Sequence, residues 1–215
     1  MVLQARAEAT RRKILDSAVD LFDELGYGET GLADVLQRAG VSKGAFYYHF
    51  DSKEAVAAAI IQDYRDRIRN MLGEKLDPSL PLMDQLIVAS FSSAAMIYSD
   101  KCARIGNELM QGLTQISATA TRVYAQWTAE FLDGFARGVQ ASGFAPKVDV
   151  GEVAEAAWTG VLGSHLLSSA IGGDPYIRLA RMWRAVLCSF VPEDAQGHFS
   201  DLLDRTALRY QSAAV

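Results

Sequence analysis

The 215-residue chain is predicted to be all-α, with a small N-terminal head of three short helices and a larger helical body. Three observations carry that prediction. Apolar residues recur at three- and four-residue intervals, helix caps crowd the first fifty residues, and no segment sustains the two-residue alternation of a half-buried strand. Half of the residues are hydrophobic and 22% are charged, enough apolar material for a sizeable core in a chain of this length.

Ile14, Ala18, Leu21, Phe22 and Leu25 form one apolar stripe of an amphipathic helix, which Gly26 and Gly28 should end. Thr30 is expected to cap a short second helix that runs through Arg38 and stops at Gly40. Ser42 caps the third, Lys43 to Phe50, and Asp51 is expected to cap the fourth, with Glu54 three residues on. Residues 1–53 are read as the head and 54–72 as the helix linking it to a body over 73–215. The segment Asp77-Pro78-Ser79-Leu80-Pro81 is a clear break. Helical patterns then cover roughly 82–98, 102–112, 116–141, 150–171 and 175–191, the last opened by Asp174 as cap and Pro175 in the first turn.

No stretch reads as a targeting or membrane segment, since acidic residues interrupt the apolar run from Ile14 to Leu25. Cys102 and Cys188 lie far apart in apolar contexts and read as reduced, buried thiols of a cytoplasmic protein. The net charge of −5 argues against a general nucleic-acid coat protein, but a specific binder needs only a local basic surface.

Ala39-Gly40-Val41-Ser42 supplies the short turn that a helix-turn-helix needs between two steeply crossed helices. In the helix that follows, Ala45, Phe46 and Phe50 can pack inward. Ser42, Lys43, Gly44, Tyr47, Tyr48 and His49 are left outside. Two tyrosines, a lysine and a histidine on one short exposed face suit contact with a DNA groove. Hydroxyls and ammonium reach phosphates, and small residues let the helix approach the bases.

Thr30, Leu32 to Leu36, the run from Ala39 to Phe50 and Ser52-Lys53-Glu54 together resemble the DNA-binding head of the TetR family of bacterial repressors. Thr10 to Leu15 and Leu21-Phe22 to Gly26-Tyr27 extend the resemblance over about the first 55 residues. Gly31 stands where the family usually has a second threonine, which leaves one expected phosphate contact in doubt. The resemblance implies DNA contacts from Thr30, Ser42, Lys43, Tyr47, Tyr48, His49 and Lys53, with Lys43, Gly44 and Ala45 nearest the base edges. It further implies a homodimer on double-stranded operator DNA and a body that holds a small effector.

Val153, Ala157, Val161, Leu162 and Leu166, with Tyr176, Leu179, Ala180, Trp183, Val186, Leu187 and Phe190, make two helices apolar over more than one stripe. One stripe suits the monomer core and another a dimer partner, so helices near 150–171 and 175–191 are the expected interface. Tyr124, Trp127, Phe131 and Phe135 form an aromatic stripe that reads as core or as pocket wall. The head, the chain length, the mid-helix Trp127 and the stretch from Asp149 to Leu166 resemble the γ-butyrolactone autoregulator receptors of actinomycetes, in which a tryptophan covers the lactone. The candidates to line a cavity with Trp127 are Phe91, Met96, Leu109, Met110, Phe131, Trp158, Thr159 and Leu162. Tyr64, Gln111, Thr159 and His165 are the candidate polar contacts.

Catalysis is not expected. His49, His165 and His198 lack carboxylates or cysteines at metal-ligand spacing, so neither a metal nor a cofactor is called for. Gly163-Ser164-His165 is not a nucleophile elbow, because adjacent helical side chains point about 100° apart. An acidic interaction module that binds no DNA is the alternative outside the repressor class. Inside that class, the alternative is a regulator of efflux or lipid metabolism with a drug-like or acyl ligand.

Overall fold

The computed structural model describes residues 2–114, 117–144 and 147–212, and every regular element among them is helical. The helices are α1 (Val2–Leu25), α2 (Leu32–Ala39), α3 (Lys43–His49), α4 (Lys53–Lys75), α5 (Leu82–Ser99), α6 (Lys101–Gly112), α7 (Ala118–Ser142), α8 (Val150–Ile171), α9 (Pro175–Cys188) and α10 (Glu193–Ser212). α10 was not expected from the sequence. The helix expected over 175–191 ends at Cys188, and Pro192 stands immediately before α10.

The chain forms two compact units, Met1–Arg69 with Asp100–Tyr124, and Asn70–Ser99 with Ala125–Val215. That division is discontinuous and differs from the linear boundary read at residue 73, because α6 and the start of α7 belong with the head.

In the first unit, Ile14, Ala18 and Phe22 of α1 are buried with Val35 and Ala39 of α2, Phe46 of α3 and Ile60 and Ile61 of α4. Gly26 at φ +84° and Gly40 at φ +59° take the left-handed backbone that ends α1 and α2. Two expected caps are corrected. Thr30 is only 1% exposed, and its hydroxyl donates to the carbonyls of Gly26 (2.8 Å) and Leu21 (3.3 Å). The cap of α2 is therefore Gly31, whose N–H donates to the Asp34 carboxylate at 2.8 Å. For α4 the cap is Ser52 rather than Asp51, since the Ser52 hydroxyl accepts from the Ala55 N–H. Ser42 caps α3 as expected, accepting from the Ala45 N–H.

α6 is clamped to α1 by two ion pairs, Lys101–Asp20 at 2.7 Å and Arg104–Asp23 at 2.8 Å. It also meets α4 closely. Tyr64 lies directly over Gly106, where a Cβ would collide with its ring stem, and Arg67 bridges Asp63 and Asp100.

The second unit is organised around α9. Trp183, fully buried, stacks nearly parallel to Phe135 of α7 and donates its Nε1–H to the Ser90 hydroxyl of α5 at 2.9 Å. Leu179, Ala180 and Leu187 complete the same buried face. α10 returns along α5, where the Tyr210 hydroxyl meets Ser92 at 2.6 Å and His198 meets the buried Asp84 carboxylate at 2.8 Å. α8 and α9 come close where Gly160 faces Met182. The apolar residues of α9 are thus spent largely inside the unit. Of the residues expected to form apolar stripes on it, Val186 alone is half-buried and the rest are buried, while Ile177, outside that set, is exposed.

Candidate nucleic-acid interface and ligand site

α3 anchors itself through Phe46, fully buried, while Phe50 just beyond it closes the same core. Burying one phenylalanine is worth roughly 1.5–3 kcal/mol, which holds a seven-residue helix that could not persist alone. Everything else on α3 turns outward. Ser42, Lys43 and Gly44 are exposed, Ala45 and His49 half-buried, Tyr47 46% and Tyr48 77% exposed. The Lys43 ammonium lies 5.9 Å from the centre of the Tyr47 ring, and the His49 ring meets Tyr48 edge-on at 4.9 Å. Arg11 of α1 lies over the Phe50 ring at 5.5 Å, adding a cation beside this face.

The other two expected contact residues are arranged differently. Thr30 points inward, so its side chain offers nothing to a phosphate. Lys53 is half-buried, and its ammonium donates to the carbonyls of Tyr27 and Thr30, both at 2.8 Å, while lying 4.3 Å over the Tyr27 ring. It ties the first turn of α4 to the loop between α1 and α2. Sequence pattern could not show this, because the partners are carbonyls more than twenty residues away.

The body candidates fall into both units. Tyr64, Leu109 and Met110 are buried in the first. The Tyr64 hydroxyl reaches Asn107, and burial pushes its pKa up. Gln111, half-buried, also bonds Asn107. Leu109 lines a concavity of about 250 Å³ between α1 and α6, with Phe22 and Ile105. In the second unit, Phe91 is fully buried and stacked on Tyr210, and Phe131 is 9% exposed with its ring 4.9 Å from Trp158. Trp158 donates its Nε1–H to the Thr128 hydroxyl. Met96, Trp127 and Leu162 are half-buried, and Thr159 is exposed.

The aromatic stripe of α7 therefore divides: Phe131 and Phe135 are core, whereas Tyr124 and Trp127 stay half-buried. His165 on α8 is 6% exposed, its Nδ1 has no hydrogen-bond partner, and desolvation drives its pKa down to about 4. Ser168, one helical turn on, is equally buried with an uncommitted hydroxyl. Of the two cysteines, Cys102 is half-buried with its pKa pushed up to about 11, chiefly by burial, but Cys188 is exposed rather than buried. Among the described residues no group of histidines, cysteines and carboxylates could hold a metal, and no helix is long and apolar enough to cross a membrane.

The family described as bacterial regulatory proteins, tetR family, matches residues 14–60, the segment that contains α2, α3 and their turn. The A-factor receptor protein of Streptomyces griseus is 31% identical over 204 residues, spanning 92% of this chain and 70% of that relative. The chain belongs to the TetR family. It is accordingly a DNA-binding regulator and not an enzyme. A solved γ-butyrolactone receptor (ArpA-like protein) matches with a TM-score of 0.76 at 26% identity, over 95% of this chain and 99% of that one. CprB of Streptomyces coelicolor, solved with its biological operator sequence, matches with a TM-score of 0.76 at 27% identity, over 94% and 98% of the two chains. The similarity to TetR regulators thus extends well beyond the head.

Proposed function

We propose that this protein is a ligand-released repressor. It binds a palindromic operator as a homodimer and leaves it when a small apolar effector of the γ-butyrolactone type enters the body. The observation that carries this reading is the 31% identity to the A-factor receptor over 92% of the chain, which includes the body and not the head alone. TetR-type relatives that match only about half of the chain, such as the repressor KstR2 of Rhodococcus jostii, support the class but not the effector.

Two α3 helices, one from each protomer, enter major grooves about 34 Å, or a multiple of that, apart, and the palindrome follows from the two-fold symmetry of the dimer. Tyr47, Tyr48 and Lys43 orient the helix on phosphates, while Gly44 and Ala45 allow close approach to the bases. The dimer forms through the second unit, where Leu166, Leu167 and Ile171 of α8, Ile177 of α9 and Leu208 of α10 are exposed. Trp127 covers the effector, and His165 and Ser168 supply buried hydrogen-bonding groups of the kind an uncharged lactone needs. α4 carries residues of both units and transmits the response. The effector releases DNA only as far as it prefers the non-binding form, a coupling of roughly 1–3 kcal/mol.

A gel-shift assay with the protein's own promoter DNA tests this, titrated with an acyl-bearing γ-butyrolactone, with its ring-opened carboxylate and with an acyl-CoA. Release by the neutral lactone alone is expected. No shift at any promoter site overturns the repressor, and release by the acyl-CoA alone reassigns the effector to the lipid class.

A further inference from the structure

We propose that the concavity between α1 and α6 is a second small-molecule site, regulatory in effect, which takes an amphipathic cation: a compact apolar body carrying one ammonium group. The space is about 250 Å³, walled by Phe22 and Tyr27 on one side and by Ile105, Leu109 and Leu113 on the other. The ion pairs Lys101–Asp20 and Arg104–Asp23 fix the spacing of the two helices just before this point. Beyond them the packing thins. Leu25 turns out to solvent, and Gly26 and Gly112 contribute no side chain, so the helices stand apart over an apolar gap.

One charged side chain, Glu108, lies on the lining. Glu108 is exposed, and partial desolvation against the apolar lining raises its pKa, with Asp23 adding to the effect and Arg104 opposing it. Arg104 itself is already paired with Asp23 at 2.8 Å. A carboxylate at the edge of an apolar wedge, with the Arg104 guanidinium engaged by Asp23, is complemented by a ligand ammonium whose apolar part fills the gap. A carboxylate ligand would meet like charge there.

The position of Tyr27 makes such a site regulatory. Its ring forms part of the wall, its carbonyl accepts from the Lys53 ammonium, and its hydroxyl donates to the Glu54 carboxylate. Both partners lie in the first turn of α4, directly after α3. The same loop ends in Thr30, whose carbonyl is the second acceptor of Lys53. An occupant pressing on Tyr27 therefore acts on the joint that orients the DNA-contacting helix. By linkage its binding and operator binding must affect one another. Trp127 is not part of this lining, and the proposal does not depend on the identity of the lactone-type effector.

The test is calorimetric titration of the full chain with 1-naphthylmethylamine and with its uncharged counterpart 1-naphthalenemethanol. Saturable binding is expected, with the amine about fivefold tighter or more, the factor that roughly 1 kcal/mol of ion pairing gives. Glu108→Gln keeps the shape and should bring the amine down to the alcohol. A Cβ at Gly112 meets nothing within 4 Å. Gly112→Trp, with Gly112→Leu as the milder filling, should therefore abolish binding of both probes while leaving the melting temperature as in the wild type. Saturating amine should shift the operator Kd about fivefold or more in the wild type and leave it unchanged in the filled variants. Absence of saturable binding, an amine preference that survives Glu108→Gln, binding that survives both fillings, or an operator Kd indifferent to the amine each overturns the proposal.

Discussion

α3 and α9 both carry large aromatic side chains, and they use them in opposite ways. α9 hides Trp183 completely against Phe135 and Ser90, so packing accounts for it in full. α3 hides Phe46 and leaves Tyr48 77% exposed beside the half-exposed Tyr47. Displaying two tyrosines on a seven-residue helix does nothing for the core, whereas a partner surface gives both rings and hydroxyls a use. An aromatic residue that the core explains says little about function, and one that the core leaves out says a good deal. α7 contains both kinds on a single stripe, with Phe135 in the core and Trp127 half-buried.

The sharpest break of this contrast is Trp183→Ala. It leaves a large cavity and strips Ser90 of its donor, at an expected cost of about 3–5 kcal/mol in unfolding free energy. Chemical denaturation measures it, and the fraction still folded should bind operator with unchanged affinity. Lys43→Ala combined with Tyr48→Ala should do the reverse. Stability should stay within about 0.5 kcal/mol, while operator affinity falls by roughly 2–3 kcal/mol, from one charged and one neutral hydrogen bond lost. Fluorescence anisotropy at several salt concentrations reads the second effect. An unchanged Kd would remove α3 from the interface.

How far this contrast was legible in the sequence depends on the range of the interactions. The turn at Gly40, the cap at Ser42 and the outward face of α3 are decided within a few residues, and local pattern finds them. Thr30 stands where the local pattern puts a cap, but its hydroxyl turns back to carbonyls of the preceding helix, leaving Gly31 as the cap. α10 leaves little periodic signal because its buried positions, Phe199, Leu203, Thr206 and Ala207, are diluted by polar residues. The first unit is discontinuous because Asp20 and Asp23 pair with Lys101 and Arg104, some eighty residues on, and no periodicity encodes that. The body resisted for the same reason: whether an aromatic side chain on α7 is core depends on which α8 and α9 residues meet it.

His165 extends the comparison to a buried group that packing does not satisfy. Its folded pKa of about 4 lies below the ordinary imidazole value of 6.5, because desolvation penalises the imidazolium. The unfolded chain therefore binds more protons between those two values. Stability from this group is complete above about pH 6.5 and is lost as pH falls toward 4, by about 3 kcal/mol. His165→Phe should flatten the melting temperature over that window. A slope as steep as in the wild type would assign the acid sensitivity to other groups.

The smallest expected effect separates two roles for one lysine. By resemblance Lys53 contacts DNA, yet the structure spends two of its three N–H donors on the carbonyls of Tyr27 and Thr30. If the ammonium serves the loop, Lys53→Met keeps the stem packed on Tyr27 and removes those two bonds together with the ammonium's contact to the Tyr27 ring. The head should lose about 1 kcal/mol of stability, because the side chain is half-exposed and water replaces part of what is lost. The dependence of log Kd on log salt should keep its slope. If the ammonium instead reaches a phosphate in the complex, the slope should flatten by about 0.9. The structure favours the first outcome: leaving those carbonyls would uncap the loop that positions α3, and Lys43 already supplies a free-standing cation on the exposed face.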